Sequence, residues 1–336
     1  MEAVVPKLTA FSLALVSALT LTIATSTPAP AGRAPGTWSH KASMPGVRSE
    51  IAAAVVDGKI YVIGGNTSED VDGKTIERYD SGLTEVYDPE TDTWKTLSPM
   101  PDGAGHVATA VLDGLIYVAG GFKARQHSQP VANFYAYDPK TDRWETLPRL
   151  PGPRGSANLA VVRGQLHLIG GRVSDEAGPL AAHDVYDPKT RTWSPAPPMP
   201  TARDHMGIAV IGDRIHVVGG RSGGADENLG MQEVFNPKSG TWSSALPMPT
   251  PRSGGAFARY RGLLFFLGGE CRNGKTYDKN EAYDPATRTW GTYAPLPSGR
   301  HAFAAEAVGD TLYVIGGAKG CGGSGKVADN LTFRLP

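Results

Sequence analysis

The chain has 336 residues, and its 33 Lys and Arg balance 33 Asp and Glu. With no net charge and no basic block, composition excludes a nucleic-acid partner. Only two cysteines are present, Cys271 and Cys321.

In chain order, Lys7 precedes an apolar run from Leu8 to Ala24, and residues 8–32 hold no charged side chain. Ala29-Pro30-Ala31 puts small residues at the −3 and −1 positions of a cleavage site. Residues 1–31 therefore read as a secretory signal peptide, and 32–336 as the mature domain, secreted or periplasmic, without a membrane span. The alternative is an uncleaved N-terminal membrane anchor. Next comes a first tryptophan motif, Gly36-Thr37-Trp38 through Met44-Pro45, with strand character but no partner strands before it.

From there one unit repeats. Trp38, Trp94, Trp144, Trp193, Trp242 and Trp290 are each followed 26 residues later by Gly-Gly, at 64–65, 120–121, 170–171, 219–220, 268–269 and 316–317. The spacing between tryptophans is 56, 50, 49, 49 and 48 residues, so the period is about fifty. Within a period lie short runs rich in Val, Ile and Tyr, bounded by Gly, Pro and Asp. That is strand chemistry. Asp57-Gly58 and Asp113-Gly114 suit tight hairpins between the first two strands. An aromatic residue stands seven positions before five of the tryptophans, at Tyr87, Tyr137, Tyr186, Phe235 and Tyr283. The proline two places after each starts a turn. Each unit is thus a four-stranded meander, a to d, with Trp on d. Gly-Gly ending b is expected to let a bulky neighbour, the Trp, lie against bare backbone.

Gly-Gly, Tyr-Asp-Pro and Trp at these intervals resemble the kelch repeat, over about 300 of the 336 residues. The resemblance implies an all-β fold, a six-bladed propeller of four-stranded antiparallel blades. Its last repeat ends in Asn330-Leu331-Thr332-Phe333 without a Trp, so the N-terminal strand around Trp38 should complete the sixth blade. Kelch domains serve mostly as binding platforms, although enzymes use the same frame.

Positions that repeat between blades serve architecture; those that differ are free for a ligand. Ten residues after each Trp stand Arg48, Ala104, Arg154, Arg203, Arg252 and Arg300, five arginines with a structural role on neighbouring loop carbonyls. His167 and His216 replace the aromatic of strand b and should be packed. Twelve residues after each Trp the series is Glu50, His106, Ser156, His205, Gly254 and Ala302. After each Gly-Gly it is Asn66, Phe122, Arg172, Arg221, Glu270 and Ala318. These two series, with Asp204 and His301, should ring the channel mouth on the face where loops vary in length. Glu50, Asn66, His106, Phe122, Arg172, Asp204, His205 and Arg221 are the candidate ligand-binding residues. Arg172 and Arg221 suit a carboxylate or phosphate. The longest b–c connection, Asn66 to Gly82, is the largest departure from the repeat.

No metal or other cofactor is expected. There is no close pair such as His-x-His, and Glu50, His106 and His205 would have to converge across a wide mouth. Asp70-Val71-Asp72-Gly73 holds part of a calcium loop and lacks the rest. Cys271 and Cys321, in corresponding loops of adjacent blades, should form a disulfide. Neither lies on an inner strand, as a copper radical oxidase of this frame requires. The iron motif of nitrile-specifier proteins, Glu-x-x-x-Asp-x-x-x-His, fails after Glu270, where Gly274 and Asp278 stand. Sialic acid mutarotases give a partial similarity: Glu270 matches their acid–base Glu just after the strand-b glycines. Thr276 occupies the place of their Arg, with only Arg272 and Lys275 near. The expected function is an exported module recognising a protein, a glycan or an anionic small molecule. The alternative is a carbohydrate isomerase with Glu270 as acid and base.

Overall fold

Six four-stranded antiparallel sheets follow one another in the computed structural model of the chain. The described residues are 1–2, 35–125, 127–224, 226–271 and 273–336. The signal peptide and the alternative anchor fall on residues outside them. Among the described residues no helix is long and apolar enough to cross a membrane.

The first blade pairs Ala52–Val56 (a), Lys59–Ile63 (b), Thr84–Asp88 (c) and Thr93–Thr96 (d) in that order. Strands a of the next four blades are Ala108–Leu112, Asn158–Val162, Gly207–Ile211 and Ala256–Tyr260. The sixth blade is Ala304–Val308, Thr311–Ile315, Asn330–Arg334 and, from the other end of the chain, Thr37–Lys41. Trp38 stands opposite Phe333 in that last pairing. The ring is therefore closed by the strand the sequence predicted, which gives the sixth blade its fourth strand and leaves only the short edges of a propeller.

Two sets of contacts repeat around the ring. Each indole N–H donates to the carbonyl four residues past the preceding tryptophan: Trp94 to Ala42 at 2.8 Å, Trp144 to Ser98 at 2.9 Å, and so around to Trp38 and Ala294 at 3.0 Å. Each second glycine of Gly-Gly donates to the next blade's carbonyl ten residues past its Trp, as Gly121 to Arg154 at 2.9 Å and Gly317 to Arg48 at 2.8 Å. This corrects the reading of Gly-Gly as a bed for the tryptophan. Gly120 has φ 66°, and a Cβ on it would stand 2.1 Å from the Arg154 carbonyl oxygen. Left-handed backbone and that close approach are what demand glycine.

The repeated arginines are buried and make more than carbonyl contacts. Arg48 reaches Glu85 at 2.5 Å, Arg203 reaches Glu233 at 2.6 Å, and Arg154 and Arg252 pair with Asp184 and Glu281. Each of these carboxylates lies two residues before the aromatic of strand c. In the second blade both halves change together, to Ala104 and Tyr135, both buried. Arg300 uses Asp329 instead, at 2.9 Å. His167 and His216 are buried as expected. His167 shares a 2.9 Å hydrogen bond with His183, and His216 one with Gln232.

The long connection of the first blade is a β-hairpin, Asn66–Val71 with Lys74–Arg78, turning at left-handed Asp72 and Gly73. Its acidic tetrapeptide is thus a hairpin turn, and Asp70 accepts from Thr75 at 2.9 Å. Cys271 and Cys321 are joined by a disulfide with Cα atoms 5.6 Å apart, tying the loops of blades five and six.

Candidate functional site

The position twelve residues past each tryptophan lies two residues before strand a, and there the backbone turns left-handed in every blade. Glu50, His106, Ser156, His205 and Ala302 have φ between 51° and 59°, and Gly254 has φ 65°. Side chains with a Cβ rarely adopt this region, so the surrounding structure must hold them there. It does so through a closed circle of hydrogen bonds. The amides of His106, Ser156, His205, Gly254 and Ala302 each donate to the counterpart carbonyl one blade back, at 2.9–3.3 Å, and Glu50 donates to Ala302 at 2.8 Å. This collar sits between two spaces. On one side is a channel lined largely by Ala, Val and Gly of the a strands. On the other is a mouth pocket of about 410 Å³.

Glu50, Asn66, His106, His205 and Glu270 line that pocket, joined by Tyr79, His127, Asp175 and Lys326. His106, His127 and His205 form a near-equilateral triangle, with ring centroids 4.9, 5.3 and 5.0 Å apart. Their available ring nitrogens lie within 4.8 Å of one another. The mouth is therefore narrower than the sequence led us to expect, because the collar draws His106 and His205 together. Phe122 is buried and packs edge-on against His106 and His127, at 5.6 and 5.2 Å. His106 Nε2 is 3.0 Å from Glu50 Oε2, but the alignment makes no hydrogen bond. Asn66 Oδ1 and Ser49 Oγ, at the same wall, are buried and also make none.

Carboxylates orient two of the rings from behind. His127 Nδ1 lies 2.8 Å from Asp175, and His205 Nδ1 contacts Asp204. A carboxylate only accepts, so each Nδ1 carries the proton, and the Nε2 of His205 then accepts from Ser156 Oγ at 3.3 Å and Arg221 Nη2 at 3.4 Å. Burial lowers His127 to about 4, helped by His106 and Arg221 and opposed by Asp175 and Glu50. Burial, then Arg221, His127 and His106, hold His205 well below the ordinary imidazole range. Burial alone would raise Glu50, but His106, His301 and His205 carry it well below the usual carboxylate range. The Glu50 carboxylate is thus held ionised, beside His127 and His205, whose charged forms burial disfavours.

Arg172 and Arg221 lie under the pocket, each 3 % exposed, around a fully buried Asp204. Arg172 reaches Asp204 at 2.5 Å and also pairs with Asp175. Arg221 reaches Asp204 at 3.1 Å and Glu270 at 2.5 Å. Their charge is met by carboxylates of the chain itself, which leaves acceptors, not guanidiniums, facing the pocket. His301 is turned away, with Nε2 3.1 Å from the Gly320 carbonyl oxygen. His127, Asp175 and Tyr79 were missed by reasoning from internal repeats, because they sit in b–c loops that have no counterpart in other blades.

The molecule is a closed six-bladed β-propeller carrying a loop-built pocket over its central channel. It belongs to the kelch-repeat family: residues 105–317 match the KLHDC2/KLHL20/DRC7 Kelch-repeats domain, and residues 47–101 match the Kelch motif. It is similar to Kelch-like protein terF of Aspergillus terreus, 44% identical over 90 residues, which is 26% of this chain and 18% of that one. Kelch-like protein 28 of Homo sapiens is 32% identical over 92 residues, 27% of this chain and 16% of the relative. Beta-scruin of Limulus polyphemus is 33% identical over 89 residues, 26% and 9% of the respective chains. The aligned segments thus span less than a fifth of these relatives. The solved structure of YjhT superposes with a TM-score of 0.72 at 18% identity, covering 87% of this chain and 96% of that one. That likeness is one of fold.

Proposed function

We propose that the chain is an exported recognition module that holds a small hydroxyl-rich ligand, a sugar or the end of a glycan, in the mouth pocket. One observation carries this reading. Six equivalent backbone positions in the collar bear different side chains, and those that are chemically active open into one pocket. Glu50, Glu270 and the imidazoles present acceptors to ligand hydroxyls, and Tyr79 lines the same space. Since Arg172 and Arg221 are occupied by carboxylates, hydroxyl donors suit the site better than a strong anion.

Calorimetry and saturation-transfer NMR on EDTA-treated protein test this with galactose, galacturonate and N-acetylneuraminate. At least one should bind, and Tyr79→Ala or Glu270→Gln should weaken it about tenfold, the loss of roughly one hydrogen bond or ring contact. Failure of all three to bind would overturn the sugar reading.

A second reading is favoured by Arg221. It supplies, at 2.5 Å from Glu270 Oε2, the cationic neighbour that the sequence around Thr276 lacks. Glu270 would then open and close a sugar hemiacetal as acid and base. NMR exchange between anomers of N-acetylneuraminate, accelerated by the protein and abolished by Glu270→Gln, is the expected result under that reading.

A further inference from the structure

We propose that His106, His127 and His205 form a binding site for one divalent transition-metal ion, of the zinc type, at the floor of the mouth pocket, with Glu50 beside it and one position left open. The inference deepens the reading of this pocket as the binding site, and gives it a Lewis-acidic anchor for a ligand oxygen.

The geometry points there in four ways. First, two imidazoles on one zinc, with Zn–N of about 2.0–2.1 Å, place their ring centroids about 5 Å apart. The three centroid separations here are 4.9, 5.3 and 5.0 Å. The ring nitrogens, within 4.8 Å of one another, close to the about 3.4 Å of a tetrahedral pair by small ring rotations. Second, His106 Nε2 and Glu50 Oε2 stand 3.0 Å apart and make no hydrogen bond. The Glu50 carboxylate thus stands beside His106, where it would offset the charge of a bound ion.

Third, Asp175 and Asp204 hold the Nδ1 atoms of His127 and His205. Carboxylate–imidazole pairs of this kind orient metal-binding histidines, and an ion at the His205 Nε2 would displace only its long contacts to Ser156 and Arg221, at 3.3 and 3.4 Å. Fourth, the charges leave room for a dication. Glu50, Asp175, Asp204 and Glu270 face two guanidiniums, Arg172 and Arg221, a surplus of two negative charges. Lys326 and Glu77 cancel each other, and Arg125 stands exposed at the rim. Three imidazole nitrogens suit zinc, cobalt, nickel or copper better than calcium or magnesium.

The full chain, purified without a polyhistidine tag and stripped with EDTA, is titrated with Co(II) by visible absorption and calorimetry. One equivalent should bind with the intense d–d bands of a four-coordinate site, and Zn(II) should displace it. His127→Ala, placed on a loop outside the blades, should weaken Co(II) binding more than 100-fold. Asp175→Asn should weaken it about 10–100-fold. Metal-free His127→Ala should keep the parent's circular dichroism spectrum and a single cooperative melt, which separates ligand loss from misfolding. Absence of one-equivalent binding, or binding unchanged in His127→Ala, overturns the metal site. The Co(II) titration contains no sugar, and the sugar titrations are run on both stripped and Zn(II)-loaded protein, so failure of the metal site and failure of the sugar reading are distinguished.

Discussion

The amide of Glu50 donates to the carbonyl of Ala302 at 2.8 Å, and through that bond the first blade meets the last. The ring is joined a second time inside the sixth blade, where Trp38 of the N-terminal strand stands opposite Phe333 with ring centroids 4.9 Å apart. Deleting residues 36–45 should remove several kcal/mol of stability, at roughly 25 cal/mol per Å² of apolar surface exposed. Trp38→Ala alone should cost about 2 kcal/mol, below a fully buried Trp because the ring is half exposed. Urea unfolding followed by fluorescence reads both, and an unchanged midpoint for the deletion would contradict closure.

Asp204 is the only charge partner for Nε of both Arg172 and Arg221 among the described residues, and it is fully buried. Asp204→Asn keeps the shape but removes the buried charge shared by two guanidiniums, leaving Arg172 only Asp175 and Arg221 only Glu270. The expected loss is about 3–5 kcal/mol, the usual result of removing one side of a buried ion network. Thermal unfolding of the variant beside the parent checks it.

The second blade shows how a buried arginine is dispensed with. Where other blades place a pair such as Arg203 and Glu233, it has Ala104 and Tyr135. Arg203→Ala should cost about 3–5 kcal/mol because Glu233 loses its counter-charge. Adding Glu233→Tyr to that variant should restore most of the loss. A double variant no more stable than the single one would show that the blade-two pair depends on its own surroundings.

The disulfide closes a loop of 50 residues between the fifth and sixth blades. Cys321→Ser, or reduction, should lower stability by about 2–4 kcal/mol. Comparing oxidised and reduced protein by calorimetry measures it directly.

Glu306 projects from strand a of the sixth blade into the channel, which Arg259 also lines. Burial pushes its carboxyl up to about 8, from an ordinary value of 4.5. Between those two values the folded chain keeps a proton that the unfolded chain releases. Stability must therefore fall as pH rises through that window and level off above it. Glu306→Gln should flatten this part of the profile and melt higher than the parent at pH 8. Identical profiles from pH 5 to 9 would show that the carboxyl is ionised in the fold.

The frame was readable because it is periodic. Tryptophan, glycine pair and tyrosine recur, and so does the left-handed position, which arithmetic from the tryptophan located without revealing its φ. The arginine partners were equally periodic: Glu85, Asp184, Glu233 and Glu281 all stand two before an aromatic, a signal that was there to be counted. His127 and Asp175 could not be found this way. They lie in connections of unequal length, and only the fold brings them over His106 and His205. The gathering of those histidines also depended on a collar drawn in by amide–carbonyl bonds, which no side-chain pattern spells out.

That collar has an implication for how such a molecule changes. Its six stations share one main-chain conformation, already stabilised by neighbours, so the residue mounted at each is nearly independent of the frame. Gly254 and Ala302 are blank stations. A histidine grafted onto either would arrive at the rim of the same well with its backbone shape already set, so new specificities can be installed there one blade at a time.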